Sequence, residues 1–122
     1  MAKLSKNFDS SEFACQCGCG YDTPNPELIR MLQVARDLYG KPIRITSGCR
    51  CIKHNRNVGG TANSAHISGM AADIATPTGA ARYEIVKALI QAGFERIGIN
   101  FKKRFIHADI DGTKPHPTIF SY

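Results

Sequence analysis

An aspartate stands inside an otherwise apolar run. In MAADIAT, residues 70–76, Asp73 is flanked by Met, Ala and Ile. The run reads as a buried strand. A carboxylate in such a strand must find a partner as the chain folds, because an unpaired buried charge is very costly. A metal ion is one such partner; a capping or turn contact is another. Any acceptable fold has to bring one of them to Asp73.

Two histidines lie where they could share a metal with it. His66 precedes Asp73 by seven residues in SAHISGMAADI, where Gly69, Ala71 and Ala72 are small enough to let backbone pack closely. The second is in RFIHADI, which alternates as a strand does. Phe105, His107, Asp109 and Asp111 fall on one side; Ile106, Ala108 and Ile110 suit the core on the other. Two neutral imidazoles and one carboxylate, with a fourth position open to water, are the ligand set of a catalytic zinc. His66, Asp73 and His107 supply that set. His54 and His116 are also available as ligands. His54, in KHNR, reads as a donor to backbone within a long loop, and His116, between two prolines, as a surface residue.

The rest of the chain divides into few elements. PELIRMLQVARDLYG predicts a helix, with Leu28, Met31, Leu32, Ala35 and Leu38 on one face, Asn25 as cap, Pro26 at the first position and Gly40 as stop. PIRITSG predicts a strand through Ile43 and Ile45. From Cys49 to Gly69 there is no periodicity, and a loop of about twenty residues is expected, a length usually reserved for function. TGAARYEIVKALIQAGF predicts a second helix, with Ile85, Val86, Leu89 and Ile90 inward and Gly93 at its end. RIGIN and RFIHADI predict two strands joined by a tight turn near Lys102. Near the start, SSEFA predicts a brief helical turn capped by Ser10 or Ser11. The size and pattern predict one α+β domain over residues 1–122, with a mostly antiparallel sheet, flanking helices and an N-terminal arm over 1–24.

Charge and cysteines narrow the partners. With 16 Lys and Arg against 10 Asp and Glu, the formal charge is +6, which favours anionic partners such as nucleic acid, membrane surface or cell wall. No aromatic residues interleave a long basic stripe, so nucleic acid is not expected. No apolar run is long enough to span a membrane. MAKLSKNFDSSEF has no apolar stretch of the signal-peptide kind, so synthesis and retention in a cytoplasm are expected unless another route releases the chain. The five cysteines form two clusters, CQCGCG (Cys15, Cys17, Cys19) and CRC (Cys49, Cys51). One intervening residue is tighter than usual zinc-knuckle spacing. A disulfide between the clusters, free thiols and a second, structural zinc all remain open. In each case the clusters fasten or pack the arm near the site entrance.

The motifs together resemble a known family. SGCR, then HN, VGG, SAHISGMAADI and FIHADI are similar to the zinc D-alanyl-D-alanine carboxypeptidase family of metallopeptidases, which includes murein endopeptidases of bacteria and phages. The family pattern, S-G-x-R, S-x-H-x-x-G-x-A-x-D and a late H-x-D, matches from about Ser47 to Asp109. The resemblance implies zinc held by His66, Asp73 and His107, Arg50 facing the site to stabilise a charged transition state, and Ser64 contacting substrate. It also implies the small α+β fold shared with the Hedgehog signalling domain. Several relatives place the general base three residues before the last histidine. Here that residue is Arg104, which cannot be a base. Asp109, on the face of His107, is the expected substitute, ahead of the more distant Asp111.

The expected reaction is zinc-assisted amide hydrolysis on a peptidoglycan stem peptide or cross-link, by a monomer acting on cell wall after release, as in phage lysis or entry. The rivals are a D-Ala carboxypeptidase, a wall-binding module that holds zinc without cutting, and a zinc-knuckle nucleic-acid binder. The last leaves His66, Asp73 and His107 unexplained. Arg50 could instead hold a carboxylate, and Ser64 could cap a turn.

Overall fold

The computed structural model describes residues 2–122. Helix α1 (Pro26–Tyr39) begins where Asn25 accepts a hydrogen bond from the Glu27 amide at 2.8 Å. Pro26 sits in the first turn, where a missing N–H costs nothing. The helix ends at Gly40, whose φ of 75° closes the cap. Leu28, Ile29, Met31, Leu32 and Ala35 are buried. Leu38 is not: it is 52% exposed, and Tyr39, four residues after Ala35, carries the inward stripe on instead.

Helix α3 (Gly79–Gln91) is capped by the Thr78 hydroxyl, which accepts from the Ala81 amide. It buries Ile85, Ala88 and Leu89, with Val86 and Ala92 packed beside them. Ile90, expected inward, is 51% exposed because the stripe passes through Ala88, Leu89 and Ala92. Helices α1 and α3 pack on each other and on one face of the sheet.

That sheet has five strands: β1 (Ile45–Ser47), β2 (Ala71–Ala75), β3 (Arg96–Asn100), β4 (Phe105–Asp109) and β5 (Thr118–Ser121). Their order is β1-β2-β4-β3-β5, antiparallel except for the β3–β5 pair. The α+β expectation and the two-strand turn before β4 are therefore met. Ala72, Ile74, Ile97, Ile106 and Ala108 face the helices and build the core. The register sets one row across the other face: Ser47 opposite Asp73, Asp73 opposite His107, His107 opposite Gly98, and Gly98 opposite Phe120.

Two features lie beyond the sequence expectations. The stretch from Cys49 to Gly69 is not all loop; α2 (Ile52–Asn57) interrupts it, started by Cys51, whose sulfur accepts from the His54 amide at 3.3 Å. It is only six residues long and mostly polar, so no apolar period marks it. Strand β5 is the other addition: four residues, half exposed, held by the edge of β3. Near the N-terminus, Ser10–Phe13 form a 3₁₀ turn. Neither Ser10 nor Ser11 caps it, since both lie inside it; Asp9 precedes it, its amide donating to Glu12 at 2.7 Å, while buried Ser10 accepts from the Ala2 amide. Among the described residues no helix is long and apolar enough to cross a membrane.

Candidate metal centre

Strand pairing alone brings Asp73 and His107 side by side, since they are direct partners in the β2–β4 ladder. His66 arrives from the loop before β2. Its amide donates to the Ser64 hydroxyl at 3.2 Å, its carbonyl accepts from the Arg50 amide at 3.1 Å, and its ring Nδ1 lies 2.7 Å from the Gly48 carbonyl. Ser64 thus fixes the turn that carries His66, the capping role among its two expected ones. All three side chains are buried.

The ring partners set the tautomers. A carbonyl only accepts, so His66 Nδ1 carries the proton and Nε2 is left with a lone pair, 3.3 Å from Asp73 Oδ1. On His107, Nε2 donates to Asp109 Oδ2 at 2.6 Å and Nδ1 faces the same Asp73 Oδ1 at 3.1 Å. With both rings neutral, two imidazole lone pairs and a carboxylate oxygen point at one another, and three acceptors in contact need a proton or a metal ion among them. The donor atoms lie within 4.8 Å of one another. Bonds of ~2.0–2.1 Å in a tetrahedron put ligand atoms about 3.4 Å apart. The donor set and its spacing fit zinc.

The charges respond to this packing. Burial pushes the Asp73 carboxyl up, but hydrogen bonds with His107 and His66 outweigh it and hold the group at about 2. Burial also opposes charging of His107; contacts with Asp109 and Asp73 more than offset it and raise its pKa. Burial likewise raises Asp109, and its hydrogen bonds with His107, the Asp111 amide and Arg96 pull it below the usual carboxylate range.

Asp109 was expected to take a proton from water. Its contacts favour another role. Oδ2 meets His107 on the ring nitrogen away from Asp73, Arg96 Nε donates to both oxygens at 3.0 and 3.2 Å, and the Asp111 amide donates to Oδ1 at 3.0 Å. A carboxylate so engaged, behind the histidine, holds the ring and its tautomer in place. Asp111 is no substitute. Its Oδ1 accepts from the Thr113 amide and hydroxyl, and Oδ2 is 3.3 Å from Lys114 Nζ.

Arg50 does reach the centre. Its Nη2 lies 3.5 Å from Asp73 Oδ2, Nη1 donates to buried Asn55 at 3.2 Å, and Nε is 3.4 Å from the Ser47 hydroxyl. His54 and His116 stay outside the cluster; the His116 ring turns to the Lys114 carbonyl at 2.8 Å.

Several participants were not anticipated. Arg96 pairs with Asp109 across β3–β4, and Asn55 steadies Arg50 from α2. Phe120 reaches the His107 ring, with centroids 5.9 Å apart, by lying over Gly98. A Cβ at Gly98 would stand 2.5 Å from Phe120 Cε2, so only glycine leaves the ring this path. Tyr122 meets Phe105 edge to face, and loss of hydration together with the field of Asp73 pushes its hydroxyl up to about 12. That phenol stays a neutral hydrogen-bond donor beside the centre. Strand pairing was the missing signal for Arg96 and Phe120, because their partners come from other strands.

The sequence model of the family described as Peptidase M15 matches residues 6–109, which takes in all three donors and the strands β1 to β4. No curated protein matches the chain.

Proposed function

The chain belongs to the peptidase M15 family, and we propose that it is a zinc-dependent peptidase that hydrolyses peptidoglycan stem peptides or cross-links involving D-amino acids. The convergence of His66 Nε2 and His107 Nδ1 on one oxygen of Asp73 carries the reading. Those three residues would hold the zinc. When bound, zinc supplies a Lewis acid for the scissile carbonyl and a water made acidic enough to attack at neutral pH.

The chain's own groups prepare the site. Gly48 and Asp109 fix the two imidazoles with one nitrogen free on each. Arg50, aligned by Ser47 and Asn55, keeps a guanidinium beside Asp73, from where it would donate to the oxyanion that develops on the substrate. Ser64 would line the approach of the peptide on the turn before His66. The net charge of +6 would keep the protein on anionic wall after release from the cell that makes it, as in phage lysis or entry. A monomer suffices, because every group invoked comes from one chain.

The endopeptidase reading is preferred over carboxypeptidase trimming for one reason. Of the guanidinium groups that touch the site's carboxylates, Arg96 is held by Asp109 and the Pro115 carbonyl, and Arg50 is the group committed to the oxyanion. Neither is free to anchor a chain-terminal carboxylate. A second reading, a wall-binding module that holds zinc without turnover, is favoured by a different observation: Asp73, Asp109 and Asp111 are all engaged, so none stands free to accept a proton from water.

Digestion of purified peptidoglycan by the zinc-loaded protein, with mass analysis of the fragments, separates the three. New amino groups within stem peptides or cross-links are the expected result. Release of free D-alanine alone would identify the carboxypeptidase. Intact wall in the presence of fully loaded protein would identify the binding module.

A further inference from the structure

Four of the five cysteines meet far from one another in sequence. Cys15, Cys17 and Cys19 precede α1, and Cys51 starts α2, yet their sulfur atoms all lie within 4.8 Å of one another. Cys15 and Cys17 sulfurs are 3.4 Å apart, and those of Cys17 and Cys51 are 3.6 Å apart. None is bonded to another. Bonds of ~2.3 Å from a tetrahedral zinc to sulfur put the sulfurs about 3.8 Å apart, close to the distances found. We propose that Cys15, Cys17, Cys19 and Cys51 form a second, structural zinc site with four thiolate ligands.

The backbone is shaped for it. A spacing of one residue between cysteines is too tight for an ordinary knuckle, and the chain solves this with Gly18 and Gly20 at φ of 81° and 93°. These left-handed turns are open to glycine at little cost, and they fold three thiols onto one side. Two backbone amides already point at sulfur: Cys51 N donates to Cys15 Sγ at 3.5 Å, and His54 N donates to Cys51 Sγ at 3.3 Å. Amide donors of this kind stabilise thiolate over thiol. On binding, each cysteine gives its proton to the buffer and its sulfur lone pair to the metal. Cys49 takes no part, because its side chain is buried in the main core.

The position of this site gives it a task. It clips the N-terminal arm to the segment that carries Gly48 and Arg50. Cys49 N donates to the Phe13 carbonyl at 2.9 Å, and Cys15 N donates to the Tyr21 carbonyl at 2.7 Å, so both sides of the clip are tied to the fold. Gly48 and Arg50 in turn hold His66. A closed four-thiolate site would thus act as a staple behind the His66–Asp73–His107 centre. The staple does not depend on what that centre does.

Elemental analysis of the full chain purified with zinc is the test. About two zinc ions per chain are expected, falling to about one in Cys19→Ser or Cys17→Ser. Both positions are exposed, so neither change should block folding. His66→Ala should also fall to about one, and it separates the sites: cobalt loaded into that variant should still show the intense sulfur-to-metal charge-transfer band in the near ultraviolet, whereas cobalt-loaded Cys19→Ser should lose or weaken it. One zinc per chain in the wild type, with no such cobalt band, would overturn the proposal. So would a count of only three free thiols in the unfolded, unreduced protein, since that would mean a disulfide.

Discussion

Asp109 holds His107 from behind: its Oδ2 lies 2.6 Å from Nε2, the ring nitrogen turned away from Asp73. Substitution of Asp109 by Asn keeps the shape but removes the charge and sets an amide against Arg96 or the Asp111 N–H. If Asp109 orients the ligand, zinc should bind the His66–Asp73–His107 centre about 10–100-fold more weakly, and excess zinc should restore much of the activity. A proton acceptor would behave differently, with turnover down by about 10² to 10⁴-fold and zinc affinity unchanged. Zinc titration beside kcat in the same variant distinguishes the two.

His66→Ala and His107→Ala each remove one donor of the three. Each variant should hold one zinc fewer per chain and show no turnover. Retention of the wild-type metal content in both would move the zinc elsewhere.

The metal-free protein should have a stability window in pH. Asp73 is held down at about 2, so its contribution is complete above the unfolded carboxyl value of about 3.9 and is lost as pH falls toward 2. His107 is raised, so its contribution is complete below about 6.5 and is lost as pH rises through its folded value, when Nδ1 gives up the proton it shares with Asp73. Chelated protein should therefore be most stable between about pH 4 and 6.5 in denaturant melts. Zinc should remove the alkaline limb, because the cation replaces that proton. A chelated protein whose stability does not change between pH 6 and 8 would contradict this coupling.

Gly98→Ala should be costly although it adds only one methyl group. Its Cβ would stand 2.5 and 2.6 Å from two Phe120 ring atoms. A loss of about 1–3 kcal/mol is expected from such overpacking. In the Phe120→Ala background the same change should cost far less, and a double-mutant cycle on equilibrium unfolding would measure the difference.

Much of this was legible in the residues, and the limits have physical causes. Asp73 announced itself as a charge in an apolar strand, and the alternation around His107 gave its face. Strand period gives a face but not a neighbour, which is why the contacts of Asp109 with Arg96 and His107 could not be read from it. Helix α2 carries no apolar period, so nothing distinguished it from loop. Leu38 and Ile90 satisfied a helical spacing yet lie just off the buried stripe, since that stripe is narrower than the sequence pattern allows. The cysteine spacing argued against a knuckle until the left-handed glycines showed how three thiols converge.

The row Ser47–Asp73–His107–Gly98–Phe120 crosses all five strands. Slipping one strand by a single residue would carry its member of the row to the opposite face. Asp73 and His107 are 34 positions apart in the chain, so their meeting waits on long-range closure. The complete three-donor centre therefore exists only once β2 and β4 have paired. On dilution from denaturant, capture of zinc by the two histidines should come last, with a time course that tracks completion of the sheet and does not speed up as zinc is raised.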